Sequence, residues 1–390
     1  MMIDKIKHLS KKYFEEIVQI RRYLHKNPEL SFQEYNTSRY IKKILDNWNI
    51  LYEDNIAQNG IVAILKSNQP DSKIVALRAD FDALPIKEEN NVEYCSINNG
   101  VMHACGHDAH TASLLGTILI LNNLKNFWQG TIKFIFQPAE EMLPGGARQM
   151  IDEGVLKNPT VKKIFAQHVF PDLEVGKVGF KPGKYMASTD EIYIKINGKG
   201  GHAALKEKYN NPILAASKII IALDDFFKNE NTVKSVFAIG YIEANGSTNV
   251  IPQSAYLKGT FRSLDELFRK KSHQNIKKIV NIIASKCSVN VELNIKKGYP
   301  CLINDSVLTN DTIKNAKKYL GNDNVVILPE RLTAEDFAYF SHKVPACFYR
   351  LGTSNKSKGI TNQLHTSRFN IDEAALEISM GLMAYITIKS

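Results

Sequence analysis

The chain lacks any apolar run long enough to cross a membrane. Its longest candidate, residues 114–121, is much shorter than the roughly 20 residues that a spanning helix needs. The N-terminal sequence MMIDKIKHLSKKYFEEIVQIRR has the pattern of a charged amphipathic helix and lacks the apolar core of a secretory signal. We therefore expect a cytoplasmic protein that has no membrane partner.

Cysteine is scarce in the chain. The 390 residues include five cysteines, which are scattered and odd in number. They are Cys95, Cys105, Cys287, Cys301 and Cys347. This pattern excludes a disulfide framework and is typical of a reducing compartment, in which Cys105 can remain a free thiolate.

Dense basic clusters are also missing. The formal net charge is +10, but the lysines are spread along the chain among acidic residues and asparagines. No block combines concentrated basic charge with interleaved aromatic residues, so we do not expect nucleic-acid binding. The hydrophobic content of 44% and the charged content of 23% are ordinary for a globular protein.

Strand-like and helix-like segments alternate over the first part of the chain. Apolar runs at 73–77, 131–136 and 163–167 are separated by segments of helical periodicity. This order predicts an α/β fold with a mostly parallel sheet flanked by helices. Candidate site residues follow these runs: Asp80, Glu140, Glu141 and His168. Because sites gather at the carboxyl ends of parallel strands, we expect these side chains to lie together.

The pattern changes near residue 186. From there to about residue 296 the order β-α-β-β-α-β predicts a ferredoxin-like α+β domain. We therefore predict a catalytic domain in two parts, 1–185 and 297–390, with an inserted domain at 186–296. Edge strands of the inserted domain can pair with those of a second copy, so we predict a homodimer formed through this domain.

The segment MHACGHDAHTASLL contains a pair of possible metal ligands. Cys105 and His107 lie two residues apart in a glycine-containing loop, and thiolates and imidazoles bind metals at such spacing. A C-x-H pair alone is weak, since a buried cysteine near a packed histidine is commoner. Further candidates follow strand-like runs or lie in loops: the Glu140–Glu141 pair, His168 and His365. Together they predict a binuclear metal site.

The adjacent acids Glu140 and Glu141 can divide two tasks between them. Neighbouring side chains in an extended turn point in different directions. One carboxylate can then bind a metal while the other accepts a proton from metal-activated water. The alternative interpretation is that both acids only stabilise the N-terminus of the next helix.

Three polar residues of the inserted domain are candidates for substrate contacts. His202 lies in the glycine-rich sequence GKGGHAA, where it would either stabilise a developing oxyanion or serve as a turn residue. Asn249 and Arg262 lie at opposite ends of the second strand region. Arginine is well suited to bidentate recognition of a carboxylate.

The chain resembles the aminoacylase/carboxypeptidase metallohydrolase family. The segments that carry the resemblance are RADFDALP, MHACGHDAHTASLLG, FIFQPAEE, GGARQMIDEG, GKGGHAA, NVIPQSAYLKGTFR and TAEDFAYF. They resemble most closely its amidohydrolase branch, which includes hippurate hydrolases, N-acetyldiaminopimelate deacetylases and plant auxin-conjugate hydrolases. The resemblance extends from about His25 to the C-terminal helix, with the motifs in order.

This resemblance implies roles for the candidate residues. The implied metal ligands are Cys105, His107, Glu141, His168 and His365, with the Cys105 thiolate as the bridge. Glu140 would be the general base, and Asp80 would be the acid that orients the metal centre. The inserted domain would serve as a lid over the site and as the dimerisation domain. Three of its residues would bind substrate: His202, Asn249 and Arg262. Where peptidase branches of the family carry a histidine, this chain has Arg78, which is therefore not expected to be a ligand.

The implied function is that of a dimeric, two-metal amidohydrolase. Its substrates would be N-acyl amino acids, and the mixed ligand set admits zinc, manganese, cobalt or nickel. One alternative is a dipeptidase or aminopeptidase of the same clan. A second is a cysteine hydrolase using Cys105 and His107, although residues at this spacing rarely align as nucleophile and base. A third is a non-catalytic binding protein on the same scaffold.

Overall fold

The computed structural model describes residues 1–230 and 232–390, which form two compact units. The first unit consists of three stretches: Met1–Gly183, Ile303–Pro329 and Asp336–Ser390. The second unit consists of two stretches: Lys184–Leu302 and Glu330–Glu335. The sequence pattern predicts the insertion at 186–296, and it gives no sign that the short stretch at 330–335 belongs with it.

Nine helices and sixteen strands are present in the described residues. The elements up to the start of the second unit are α1 (Met2–Lys26), α2 (Tyr35–Asn47), β1 (Tyr52–Ile56), β2 (Gly60–Lys66), β3 (Ile74–Asp80), α3 (His107–Asn123), β4 (Thr131–Gln137), α4 (Gly146–Asp152), β5 (Lys163–Glu174), β6 (Val178–Phe180) and β7 (Gly183–Met186). Those that follow are β8 (Ser188–Asn197), β9 (Gly201–His202), α5 (Pro212–Asn229), β10 (Ser235–Glu243), β11 (Val250–Ile251), β12 (Ser254–Ser263), α6 (Glu266–Lys286), β13 (Asn290–Lys297), β14 (Leu302–Asn304), α7 (Ser306–Leu320), β15 (Val325–Ile327), α8 (Ala338–Ser341), β16 (Ala346–Ser354) and α9 (Ala374–Lys389). None of these helices is both long and apolar enough to cross a membrane.

The first unit is built on an eight-stranded mixed sheet with the order β1-β2-β4-β3-β5-β16-β6-β15. Its central pairs, β4–β3, β3–β5 and β5–β16, are parallel. Every residue of β3 and β4 is buried, as expected for strands covered on both faces. Helices α1, α3 and α9 pack against one another, and the apolar faces of α3 and α9 contribute to the core. The predicted α/β fold is confirmed.

The three central strands bring the candidate site residues to one edge of this sheet. Asp80, the last residue of β3, is paired in register with Gln137, the last residue of β4. The prediction that a strand closes at His168 is wrong. His168 lies within β5, which continues to Glu174 because it pairs with β16 along most of its length.

The second unit contains a four-stranded antiparallel sheet with the order β10-β12-β8-β13. The chain order β8-α5-β10-β12-α6-β13 and this strand order are those of a ferredoxin-like fold. Alternate residues of β8 are buried, among them Ile192, Ile194 and Ile196, which pack with α5 and α6 in a separate core. The predicted inserted α+β fold is therefore present.

Candidate metal centre

A tight turn at Gly106 places two of the predicted ligands at the start of α3. Gly106 has a φ of 82°, in the left-handed region that favours glycine. A Cβ at this position would lie 2.4 Å from Cγ2 of Val169 on β5. Glycine is therefore required both by the backbone conformation and by the close packing of this turn. The turn sets Cys105 just before α3 and His107 at its first residue.

The five predicted ligands converge on one region, which is buried except at His365, whose side chain is exposed. Sγ of Cys105 lies 3.4 Å from Nε2 of His168 and 3.3 Å from Nε2 of His365. Oε1 of Glu141 lies 3.3 Å from the same nitrogen of His365 and 3.9 Å from Nε2 of His107. Residues distant in the sequence thus present sulfur, nitrogen and oxygen atoms to a common space.

The chemistry of these atoms fits a divalent cation. Nε2 of His107 and Oε1 of Glu141 are buried, and neither makes a hydrogen bond in the described residues, although Oε1 of Glu141 lies within ion-pair distance of His365. Burial, together with Glu141, Glu140 and Asp80, raises the pKa of the Cys105 thiol well above its usual value. A thiolate would therefore require a nearby positive charge. The mixture of thiolate, imidazole and carboxylate donors suits zinc, cobalt, nickel or manganese.

Hydrogen bonds orient two of the imidazoles towards this space. Nδ1 of His107 donates to Oδ1 of Asp82 at 3.1 Å, and Nδ1 of His168 donates to the carbonyl oxygen of Val169 at 2.7 Å. Each bond holds a proton on Nδ1, so Nε2 is the nitrogen that faces the cluster and would bind a metal in place of a proton. Burial opposes a charge on His107, but Asp80, Asp82 and Glu141 outweigh burial and raise its pKa to about 10. The carboxylates thus make the region favourable for a cation.

A third imidazole connects β5 to the carboxylate of Asp80. The backbone N–H of Val169 donates to Nε2 of His110 at 2.9 Å. Nδ1 of His110 donates in turn to Oδ1 of Asp80 at 2.6 Å. Burial lowers the pKa of His110. His110 is therefore a neutral imidazole with its proton on Nδ1.

Asp80, predicted to orient the metal centre, is held mainly by an arginine. Nη1 of Arg78 donates to Oδ2 of Asp80 at 2.6 Å, while Nη2 donates to Asp336 at 2.7 Å and Nε donates to Gln137 at 2.8 Å. Burial would raise the pKa of Asp80, but Arg78 and the neighbouring histidines hold it well below its ordinary range. Oδ2 of Asp80 lies 3.8 Å from Nε2 of His107. Asp80 therefore contributes negative charge beside the predicted ligands.

The predicted base, Glu140, lies beside the predicted ligands. Its side chain is buried, and its Oε1 accepts a hydrogen bond from the backbone N–H of Asp336 at 3.3 Å. Carboxylate oxygens of Glu140 and Glu141 and a ring nitrogen of His107 lie within 4.8 Å of one another. Both acids therefore face the same cluster.

The three candidates of the inserted domain lie in the second unit, and two of them, His202 and Asn249, are on neighbouring strands or next to them. His202 on β9 pairs with Val250 on β11, and the carbonyl oxygen of Asn249 accepts a hydrogen bond from Ala203 at 3.0 Å. His202 is exposed, and its Nδ1 accepts a hydrogen bond from the backbone of Ala204. Arg262 is half-buried on β12, where burial lowers its pKa.

Sequence reasoning missed Asp82 and Asp336. Asp82 holds His107, and its Oδ2 also accepts the backbone N–H of Glu141 at 2.9 Å. The feature of the sequence that could have indicated Asp82 is its position as the second aspartate of RADFDALP, two residues after Asp80. The carboxylate of Asp336 accepts a hydrogen bond from Arg78, and its backbone N–H donates one to Glu140. Asp336 lies in the segment TAEDFAYF, but its spacing from the other candidates did not indicate a role for it.

Comparisons with known proteins give consistent results. The model of peptidase family M20/M25/M40 matches residues 76–389. An N-acetylcysteine deacetylase of Bacillus subtilis is 36% identical over 97% of this chain and 98% of that protein. The IAA-amino acid hydrolase ILR1-like 4 of Arabidopsis thaliana is 36% identical over 97% of this chain and 86% of that protein. The structure of a dinuclear metal-binding peptidase of the M20 family from Bacillus subtilis is 35% identical, covers 97% of this chain and 98% of its own, and superposes with a TM-score of 0.84.

Proposed function

Since this chain belongs to peptidase family M20/M25/M40, we propose that it cleaves N-acyl amino acids to a carboxylate and a free amino acid. The family assignment makes the chain a metallo-amidohydrolase acting on a small-molecule amide. The relatives named as a deacetylase and as an amino acid hydrolase support the N-acyl amino acid as the substrate class. The acyl group and the amino acid are the properties that an assay must establish.

The observation that carries this proposal is the convergence of the Cys105, His107, Glu141, His168 and His365 side chains. Two of their buried atoms, Nε2 of His107 and Oε1 of Glu141, have no hydrogen-bond partner in the described part of the chain. Buried polar atoms are nearly always satisfied. A site for two divalent ions accounts for these atoms. It also accounts for the buried Cys105 sulfur, which lies beside two imidazoles.

We assign the proton transfers to Glu140. Two divalent ions in this site would polarise the amide carbonyl and lower the pKa of water to about 7. Glu140 accepts the proton of the attacking water and then donates it to the nitrogen of the leaving amine. The Asp336 amide, which donates to Oε1 of Glu140, restrains the carboxylate during both transfers.

Asp80 and Asp82 are assigned supporting roles. Asp82 fixes the ring of His107 by accepting its Nδ1 proton. Asp80 remains ionised between Arg78 and His110 and adds negative charge that favours divalent ions. Arg78 donates hydrogen bonds to Asp80, Asp336 and Gln137, and we assign it no role as a ligand.

The second unit is proposed to be the lid and dimerisation domain, in a cytoplasmic homodimer. Its edge strand β10 exposes Tyr241 and Ile242, with 53% of Ile242 accessible, and an exposed apolar edge is suited to pairing with a second copy. We assign His202 and Asn249 to the scissile carbonyl and Arg262 to the substrate carboxylate. Sedimentation at several protein concentrations measures the oligomeric state, and a monomer at all of them would overturn the dimer.

Mixing two inactive variants tests where His202 acts. If His202 serves the partner's site, a heterodimer of Glu140→Gln and His202→Ala contains one site with both defects and one intact site. Mixing the variants would then restore activity. If His202 serves its own subunit, every site in the mixture remains defective and no activity returns.

The substrate class is tested on metal-reconstituted protein, with and without a chelator. The panel contains N-acetyl and N-benzoyl amino acids, N-acetylcysteine, N-acetyldiaminopimelate and several dipeptides. We expect chelator-sensitive release of a free amino acid from an acylated substrate. Faster cleavage of dipeptides would favour the peptidase alternative. Activity that resists chelation but is lost on alkylation of Cys105 would favour a cysteine hydrolase, and absence of metal binding would overturn the proposed function.

A further inference from the structure

A partly buried segment between α1 and α2 supports two of the loops that carry the predicted metal centre. Its residue Leu30 forms a parallel bridge with Ala83, and the carbonyl oxygen of Glu29 accepts the Ala83 N–H at 2.8 Å. Ser31 donates to Oδ2 of Asp82 at 2.6 Å. At the end of the segment, Glu34 is completely buried. Burying a carboxyl group costs free energy unless hydrogen bonds compensate for the lost hydration. The groups that form hydrogen bonds to Glu34 therefore indicate why it is buried here.

Glu34 uses both carboxylate oxygens. Its Oε1 accepts the backbone N–H of Ala139 at 2.8 Å, and its Oε2 accepts Nδ2 of Asn59 at 3.0 Å. The first contact joins residues 105 positions apart in the sequence. It links the start of α2 to the residue directly before Glu140.

Ala139 needs such an anchor. Its φ is 51°, in the left-handed region, which costs a residue with a Cβ roughly 1–2 kcal/mol. The carbonyl oxygen of Ala139 accepts the N–H of Gly146 at 3.0 Å, so both polar groups of this residue are engaged. The strained conformation persists because its surroundings hold it, as is common at functional sites.

The two residues that flank Glu140 thus each donate their backbone N–H to a buried carboxylate. Glu34 accepts the N–H of Ala139 on one side, and Asp82 accepts the N–H of Glu141 on the other. We propose that Glu34 is a positioning residue that holds the strained Ala139 peptide and thereby aims the Glu140 carboxylate. This inference rests on the proposed function, in which Glu140 is the general base.

A nearby acid provides a matched control. Glu29 lies in the same segment, but its carboxylate accepts hydrogen bonds from the backbone and side chains of Asn36 and Thr37 at the start of α2. Its side chain therefore stabilises a helix terminus, whereas that of Glu34 contacts the loop of the predicted base. Equivalent substitutions at the two positions separate a general loss of stability from a loss of positioning.

The test uses full-length protein reconstituted with Co²⁺, whose thiolate charge-transfer absorption reports on metal at Cys105. Glu34→Asp keeps the carboxyl group but shortens the side chain, so the contact with Ala139 is lost. We expect kcat to fall at least about tenfold, since small misplacements of a catalytic group are costly. KM, Co²⁺ content and the absorption band should stay near the values of the unmodified protein. Glu29→Asp should leave kcat unchanged.

Glu34→Gln gives the complementary result. Glutamine keeps the length of the side chain and one acceptor for the Ala139 N–H, and the Asn59 amide can rotate to accept from the new NH₂ group. We therefore expect kcat within about threefold of the unmodified protein, since the acceptor and not the charge is the required feature. The proposal is overturned if Glu34→Asp retains the kcat of the unmodified protein, or if kcat falls further in Glu34→Gln than in Glu34→Asp. It is also overturned if kcat falls only in proportion to the Co²⁺ content.

These outcomes are distinct from failure of the proposed function. If the unmodified Co²⁺ protein hydrolyses no acylated amino acid, the function is wrong. If it is active and the two Glu34 variants do not differ as described, only the positioning role is wrong. Should one of these variants fail to fold, Asn59→Ala provides a second test, because it removes only the hydrogen bond to Oε2 of Glu34. This variant should also lower kcat without changing KM.

Discussion

Asp82, and not Asp80, forms the hydrogen bond to Nδ1 of His107, at a distance of 3.1 Å. The same carboxylate accepts the backbone N–H of Glu141 and the hydroxyl of Ser31. Asp82 therefore holds two predicted metal ligands in place: it binds the ring of His107 and the backbone N–H of Glu141.

Replacing Asp82 with asparagine should weaken metal binding. The amide can still accept the His107 proton, but it loses the charge that makes the imidazole more basic. We expect metal affinity to fall about 10–100-fold, the usual cost of removing such a partner. Competition with a chromogenic chelator measures this affinity. The exposed Asp172, which accepts from Gln363, supplies a control as Asp172→Asn. Equal affinities for the two variants would contradict the role of Asp82.

Glu140 and Glu141 should respond differently to the same substitution. Glu140→Gln removes the predicted base, so kcat should fall by at least about 100-fold while bound metal stays constant. Glu141→Gln removes a predicted ligand and should lower metal content together with activity. Metal analysis and steady-state kinetics on both proteins test the assignment. A Glu140→Gln enzyme with unchanged kcat would show that the base has been wrongly assigned.

Cys105→Ser should reduce metal content as well as turnover. The sulfur contacts two imidazoles, and serine is a much poorer ligand because its hydroxyl is not ionised at neutral pH. Cys287→Ser, at a half-buried cysteine of the second unit, should have no effect. Excess Zn²⁺ or Co²⁺ should restore part of the activity of Cys105→Ser. Loss of activity with full metal content would instead favour a nucleophilic cysteine.

The pair formed by Glu88 and His25 should make stability depend on acid pH. Nε2 of His25 lies 3.0 Å from Oε1 of Glu88, and Oε2 of Glu88 accepts the N–H of Ser96 at 2.7 Å. Burial would raise the pKa of Glu88, but His25 and the other donors outweigh burial and lower it from 4.5 to about 2. Since the folded-state pKa lies below that of the unfolded chain, the stabilisation is present above pH 4.5 and is lost as the pH falls towards 2.

Glu88→Gln tests this dependence. Urea unfolding of metal-free protein near pH 7 should show a loss of about 2 kcal/mol relative to the unmodified chain. The difference should narrow as the pH is lowered from about 5 to about 3. Glu93→Gln, at an exposed position of the same loop, serves as the control. A difference that does not change over this range would rule out the assigned ionisation.

Several predicted ligands could be found in the sequence because they occur in short motifs, either in a turn before a helix or shortly after a strand. Cys105 and His107 share one turn, and Glu140 and Glu141 are adjacent, so their proximity is a local property. The alternation of strands and helices likewise indicated the α/β sheet and the inserted domain. Each of these features depends on residues close together in the chain or on a regular period.

Supporting contacts could not be predicted in the same way. Choosing between Asp80 and Asp82 requires knowing which residue faces His107 after β3 ends. The burial of Glu34 depends on a loop about a hundred residues away, and nothing in its own neighbourhood indicates that loop. The extension of β5 beyond His168 depends on pairing with β16, a strand near the end of the chain.

The hydrogen bonds of Val169 have a consequence for protein engineering. Its N–H donates to His110 and its carbonyl accepts from His168, so a single residue decides which nitrogen of each ring carries the proton. Both groups belong to the main chain. Most replacements at position 169 would therefore change the packing against Gly106 but would not change the tautomers of His110 and His168. Only proline, which has no N–H, would remove the donor to His110, so a mutational scan at this position would separate steric from protonic effects.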